Sequence, residues 1–182
     1  GGGGGAAALA GAVGTTLIVR NLATGADMTF GNVTEFSWQP TETGRLLAMI
    51  IGADGQAGNG VQIFDPSTSV LRVLESSATD YSALAWRADS SDLLVLKAKT
   101  ADRHDGPTQV ALVWTTVGTP TERLQVLDPT AGSTLPATQR IVTSRRPSWM
   151  VGPSGAGQMI LFGVADWPAK AAPAEGGRGS GR

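Results

Sequence analysis

The chain has 182 residues, of which 41% are hydrophobic and 16% charged, and its formal net charge is −1 at pH 7. This composition indicates one globular domain with a core, and it lacks the positive field of a nucleic-acid-binding protein. Zero cysteines exclude disulfides and thiolate metal sites, and no apolar run approaches the ~20 residues of a membrane span. We therefore expect neither nucleic acid nor membrane as a partner, and composition assigns no compartment.

Both ends are of low complexity. Residues 1–14 are rich in Gly and Ala and predict a flexible end. The apolar run at 6–13 has the size of a signal-peptide core, but no Lys or Arg precedes it and no clear cleavage pattern follows, so a signal remnant is the less favoured interpretation. Residues 168–182 are rich in Pro and Gly and predict a disordered tail. The folded part is predicted to be 15–167.

The first predicted element is a hairpin. Residues 15–30, TTLIVRNLATGADMTF, predict two strands around the turn NLATG, in which Gly25 can take a positive φ. The pattern returns as VQIFDPSTSVLRVL, and ERLQVLDPTAG supplies it a third time. In these later copies Asp65 and Asp128 end a strand before proline, where an aspartate can accept backbone N–H bonds. We interpret both aspartates as structural residues.

A tryptophan marks each of three predicted front halves. Trp38, Trp86 and Trp149 each end a short strand, and a polar turn and an aliphatic strand follow. They recur at intervals of roughly 50–60 residues, near the ~40–50-residue period of β-propeller blades. The tryptophans are expected to fill the gap between neighbouring sheets, a role that we favour over ligand stacking.

These patterns together predict an all-β fold, since no segment shows sustained helical spacing with caps. We expect a β-propeller segment of about three blades, each a four-stranded antiparallel sheet. A tail half comes first, two complete units follow, and a front half ends the series. A propeller needs at least ~4 blades to close, so the sequence predicts an incomplete propeller, a piece of a larger one. The second unit is the longest, and its extra residues are assigned to loops around TADRHDGPTQ and TTVGTPTE.

Few residues have the pattern of a reactive site. The string GPSGAG around Ser154 lacks the nucleophile motif G-x-S-x-G and reads as a hairpin turn. The only histidine, His104, lies in a predicted loop with Asp102 and Asp105. Three such residues within four positions lack the spacing of zinc or calcium sites, so we favour a solvated loop.

Two adjacent arginines remain. Arg145 and Arg146 could face a central channel and meet a peptide carboxylate, although a surface or strand-end role is favoured. A role of Glu35 or Arg87 in a functional site has less support than one of these arginines. The sequence therefore assigns no catalytic, cofactor-binding or metal-binding residue.

A family resemblance emerges from longer phrases. GNVTEFSWQP, GNGVQIFDP, DYSALAWRADSSDLLVLKA, RIVTSRRPSWM and ILFGVADW together resemble the propeller of bacterial prolyl oligopeptidase-family serine peptidases over 17–167. The resemblance implies a propeller above an α/β-hydrolase domain, normally C-terminal, which carries a Ser–Asp–His triad. In that family the propeller limits access to small or unfolded peptides. TolB-like repeats also satisfy the shorter motifs.

The functional expectation follows from this resemblance. The chain is expected to be a non-catalytic propeller segment that gates or orients peptide substrate for a hydrolase domain of the parent chain, a domain absent from these residues. The alternative is a stand-alone, TolB-like protein-interaction propeller. A glycosidase-like catalytic propeller would need paired carboxylates at its channel, whereas the acidic residues here lie mainly in turns.

Overall fold

The computed structural model describes residues 13–131, 135–151 and 158–171, and these residues form an all-β protein. The predicted class is therefore confirmed. The first five strands are β1 (Thr15–Arg20), β2 (Asp27–Trp38), β3 (Leu47–Ile51), β4 (Gly60–Asp65) and β5 (Val70–Ser76). The next four are β6 (Tyr81–Trp86), β7 (Leu93–Lys99), β8 (Thr108–Thr115) and β9 (Arg123–Leu127). The last are β10 (Gln139–Val142), β11 (Ser148–Val151), β12 (Gln158–Leu161) and β13 (Gly163–Asp166), and a 3₁₀ turn covers Asp54–Gln56.

The first sheet has the antiparallel order β1-β2-β3-β4-β5. Its strand β2 changes partner along its length: the part before Val33 pairs with β1, the part after it pairs with β3, and Val33 pairs with both. Asn32 has a φ of 57°, and the register shifts after Val33. The predicted strands DMTF and TEFSW are therefore one continuous strand, which is a correction. A local bulge lets the chain pass from the hairpin into the sheet without a loop.

The second sheet is a four-stranded meander with the order β6-β7-β8-β9. Loop 116–122 of this unit is longer than its counterpart 66–69 in the first sheet, as predicted. Loop 100–107 has the same length as its counterpart 52–59, so the extra length predicted around TADRHDGPTQ is not found there, which is a correction. ERLQVLDPTAG was expected to repeat the third strand and its turn, and this expectation is wrong. The buried segment TQVALVWT occupies the third position as β8, so β9 is the outer strand and Asp128 follows it.

The third unit is two-stranded in its described part. β10 pairs with β13 and β11 pairs with β12, so the four strands form one interrupted ribbon with residues 143–147 as an excursion. The predicted hairpin is confirmed by the pairing of β11 with β12, but the first strand continues to Val151 and does not end at Trp149, which is a correction. The turn GPSGAG with Ser154 lies outside the described residues. No sheet closes on itself among the described residues, and the propeller architecture stays a prediction.

Three apolar clusters join the layers. One lies between the two sheets and includes Leu84, Trp86, Val95 and Trp114. A second joins the other face of the first sheet to the hairpin of β1 and residues 27–33, and it contains the residues Leu17, Val19, Met28, Phe30, Val33, Leu47, Met49, Ile51 and Phe64. A third joins the second sheet to the ribbon through Trp149 and Ile160. The layer order is therefore hairpin, first sheet, second sheet, ribbon.

The middle strands β3 and β7 are buried on both faces. Leu93, Leu94, Val95 and Leu96 are all 0% exposed. Alternate side chains of such a strand enter the clusters on opposite sides of the sheet, which explains why both strands are continuously apolar. No helix in the described part of the chain has the length and apolar character needed to span a membrane.

Candidate functional site

The same tryptophan contact joins successive units. The indole Nε1 of Trp86 donates to the carbonyl of Ser37 at 3.0 Å, and that of Trp149 donates to the carbonyl of Ala85 at 3.0 Å. Each acceptor is the residue just before the tryptophan of the preceding unit. The three tryptophans therefore lie on equivalent first strands, β2, β6 and β11.

Only two of the three tryptophans have the buried position between layers that the sequence predicted. Trp86 is 8% exposed and Trp149 is half-buried, and both pack between layers as predicted. Trp38 is 45% exposed and Phe36 beside it 57% exposed. Core packing of Trp38 was therefore a wrong prediction. The hairpin in front of the first sheet covers β3 and β4 but leaves this end of β2 open.

Glu35 connects the first sheet to the second. Its Oε1 accepts the backbone N–H of Ala83 at 2.8 Å, and its Oε2 accepts that of Leu84 at 3.1 Å. The pairing of β6 with β7 shifts register between Ser82 and Ala85, and Ala83 has a φ of 60°. This bulge turns two consecutive N–H groups away from the ladder, and a carboxylate fits such a pair of donors.

Arg146 joins the third unit to the same point. Its Nη2 donates to Glu35 Oε2 at 2.8 Å and to the carbonyl of Leu84 at 3.3 Å. Glu35, Ala83 and Arg146 each precede their unit's tryptophan by three residues. Equivalent positions of three units therefore meet in one cluster, which we call the junction.

The junction borders a small polar cavity of about 260 Å³. Its lining residues are Glu35, Ser82, Ala83, Thr143, Ser144 and Arg146. The Arg146 side chain is 66% exposed and that of Glu35 is 28% exposed, so the guanidinium is accessible from solvent while the carboxylate is held by protein donors. At such a site the guanidinium can donate hydrogen bonds to carbonyl or carboxylate groups of an extended peptide.

The other candidate arginines have different surroundings. Arg87 pairs with the buried Asp92, from Nε to Oδ2 at 2.9 Å, and Asp92 also accepts the N–H of Thr116 at 2.9 Å. This pair fixes a corner of the second sheet and is structural. Arg145 is exposed in the excursion 143–147, and its Cβ lies close to Gly163, where a larger residue would collide with it.

The loop that holds His104 is bound to the chain after β13. The imidazole stacks on Trp167 with ring centroids 4.2 Å apart, and its Nδ1 is buried without a hydrogen-bond partner in the described structure. The backbone of Asp105 donates to Pro168 at 3.0 Å, and that of Lys170 donates to Arg103 at 2.9 Å. His104 is therefore half-buried and stacked, which corrects the expectation of a solvated loop at this residue.

The neighbours of His104 do not form a metal site. Asp102 and Asp105 are exposed. In residues 13–131, 135–151 and 158–171 no group of three or more His, Asp or Glu side chains is placed to hold a metal ion.

The turn aspartates have the predicted structural role. Asp65 Oδ1 accepts the backbone N–H of Ser67 at 2.9 Å, and Asp128 Oδ1 accepts that of Thr130 at 2.9 Å. The hydroxyl of Ser67 lowers the pKa of Asp65. Burial raises the pKa of Asp128, but hydrogen bonds from Lys99 and Thr130 outweigh it and the net pKa is lowered. Both groups are therefore held as charged turn acceptors.

The junction was the feature that sequence reasoning missed. Glu35 had little support and Arg146 was assigned to the surface, although a signal was present in their equal distance from a tryptophan. Comparison with known proteins adds no relative: no protein-family model matches the chain, and no curated protein or solved structure matches it either.

Proposed function

We propose that this chain supplies non-catalytic blades of a β-propeller, which gate or orient peptide substrates for the α/β-hydrolase domain of a serine peptidase. The observation that carries the proposal is the repeated indole-to-carbonyl contact, from Trp86 to Ser37 and from Trp149 to Ala85. A repeated contact of this kind fits units that are stacked by the same rotation around an axis.

The junction supplies the peptide-binding part of the proposal. In a propeller the first strand of each blade is innermost, so Arg146 and Glu35 would lie at the channel wall. The exposed guanidinium would hydrogen-bond carbonyl or carboxylate groups of a passing peptide, and the carboxylate would hold the arginine in place. The hydroxyls of Ser82, Thr143 and Ser144 would add adaptable polar contacts.

Peptide binding can be measured by fluorescence anisotropy with short unstructured peptides. Arg146→Gln is expected to weaken binding by about 10- to 100-fold, because a charge-assisted hydrogen bond contributes about 1.5–3 kcal/mol. Arg123→Gln is the matched control, since that exposed arginine lies on the edge strand β9. Equal affinities of the two variants for the peptides, or no peptide binding by the unsubstituted chain, would contradict a role of the junction in peptide recognition.

The non-catalytic part has a separate test. The purified chain should neither hydrolyse peptidase substrates nor react with a serine-directed fluorophosphonate probe. Stoichiometric labelling of one serine by the probe would overturn the proposal that the chain is non-catalytic. Genomic sequence that encodes a downstream α/β-hydrolase frame with G-x-S-x-G would support the peptidase context.

A stand-alone, TolB-like interaction propeller is the second candidate. The exposed apolar residues Phe36 and Trp38 at the open end of the first sheet, and Met150 and Leu161 on the outer face of the ribbon, favour it because such surfaces mark protein–protein contacts. A stop codon directly after the propeller, together with a protein that copurifies in fixed stoichiometry, would decide for this candidate.

A further inference from the structure

The two outer layers of the structure are complementary halves of one unit. The hairpin formed by β1 and residues 27–33 corresponds to β4 and β5 of the first sheet. Both have a polar side chain at the turn that accepts the N–H two residues later, Asn21 from Ala23 at 2.9 Å and Asp65 from Ser67 at 2.9 Å. The β11–β12 ribbon corresponds to the front strands β2 and β3.

Each half has a free strand edge where the other half would pair. In the described structure β1 pairs only with β2, and β12 pairs only with β11. In the complete first sheet the equivalent strands β3 and β4 pair with each other. An unpaired edge is a template for another strand, and here both required edges are present.

The exposed side chains also match. On the ribbon face turned away from the second sheet, Met150, Met159 and Leu161 are 42%, 36% and 50% exposed. On the open end of the first sheet, Phe36 and Trp38 are 57% and 45% exposed. These are the faces that would meet if one more interface of the observed kind were formed.

We propose that a second copy of this chain covers both outer layers, the hairpin and the ribbon, so that β12 of each copy pairs with β1 of the other. The ribbon of one copy then covers Phe36 and Trp38 of its neighbour. Ser37 and Ala85, the two observed acceptors, each come directly before a tryptophan, and Ser148 holds the same position before Trp149. In the pair, the carbonyl of Ser148 in one copy therefore accepts the indole N–H of Trp38 in the other.

The number of units selects two copies. The described residues form two complete units and two halves, equivalent to three units for each copy of this segment. A pair of copies completes six, within the ~4–8 blades that close a propeller, whereas three copies would give nine. Two equivalent head-to-tail contacts close the pair, so no further copy is added. The inference rests on the blade interpretation and does not depend on peptide binding or on a hydrolase.

The register can be deduced from the equivalent pair in the first sheet, where Ala48 lies opposite Ile63. Leu47 and Ile160 lie opposite their units' tryptophans and both face the preceding layer, so Ala48 corresponds to Leu161. Counting back from the turn residues Asp65 and Asn21, Ile63 corresponds to Val19. Leu161 of one copy is therefore opposite Val19 of the other.

Sedimentation equilibrium of the 182-residue chain gives the first test, with an expected mass twice the 18.6 kDa of the monomer. Phe36→Lys should raise the dissociation constant at least tenfold. Val73→Lys, at an equally exposed apolar site on β5, should leave it unchanged. The proposal is overturned if the unsubstituted chain is monomeric, or if the two substitutions change the dissociation constant equally.

Disulfide trapping gives the second test, because the chain has no cysteine of its own. The double variant Val19→Cys with Leu161→Cys should form a covalent dimer under mild oxidation. The control Ile18→Cys with Leu161→Cys places the two thiols on opposite faces of the sheet and should remain uncrosslinked. Crosslinking of both variants alike, or of neither, contradicts this strand pairing, whatever the result of the peptide-binding measurement.

Discussion

At the scale of single residues, Glu35 does most to connect the layers. One carboxylate accepts two consecutive N–H groups from the second sheet and a guanidinium hydrogen bond from the third unit. Its partners are 48 and 111 residues away in sequence at Ala83 and Arg146. A residue that satisfies groups from two other units resists replacement by any side chain without two acceptor atoms.

Glu35→Ala should therefore lower the free energy of unfolding by about 1–3 kcal/mol, because the N–H groups of Ala83 and Leu84 lose their acceptor. Urea denaturation followed by circular dichroism measures this loss. Glu42→Ala makes the same chemical change at an exposed turn and should stay within about 0.5 kcal/mol of the parent. Equal effects of the two substitutions would show that the junction contributes nothing to stability.

The junction also shows what sequence reasoning could not reach. The turn acceptors Asp65 and Asp128 were predictable, because their hydrogen bonds stay within two residues of chain. The contact between Glu35 and Arg146 depends on a bulge in β6 and on the stacking of three units. No local pattern encodes the position of a partner that far along the chain.

At the scale of elements, the first strand of each unit carries the contact to the preceding layer. β6 and β11 each direct a tryptophan indole at a backbone carbonyl in the first strand of the preceding unit, β2 and β6 respectively. The recurring tryptophans predicted the first strands that end at Trp38 and Trp86. They did not predict that β2 continues through DMTF, since a bulge at Asn32 replaces the expected break.

The two tryptophan contacts should differ in strength. Trp86→Phe should cost about 1–3 kcal/mol, since it removes the hydrogen bond to Ser37 and part of a buried ring. Trp149→Phe should cost less, because Trp149 is only half-buried. Ser37→Ala keeps the backbone acceptor and should be nearly neutral. Thermal unfolding of the three variants gives the order, and a neutral Trp86→Phe would refute the contact as a stabilising one.

At the scale of the whole molecule, the layers share their central strands. Leu94 and Leu96 of β7 face the ribbon, while Leu93 and Val95 face the first sheet. The aliphatic run in β7 predicted a strand, but it could not tell which layers would lie on its two faces. Because each inner sheet is packed on both sides, loss of one layer exposes the core of the next.

This arrangement predicts that the layers unfold together. Leu96→Ala should lower the free energy of unfolding by about 2–5 kcal/mol, since Leu96 is 0% exposed and the lost volume lies between layers. Circular dichroism and tryptophan fluorescence should keep coincident transitions, because the tryptophans lie at more than one layer boundary. Leu22→Ala, at a residue 92% exposed in the first turn, is the control and should be neutral. Two separated transitions in the Leu96→Ala variant would show that the ribbon unfolds independently of the sheets, and the stack would then be a series of separate modules.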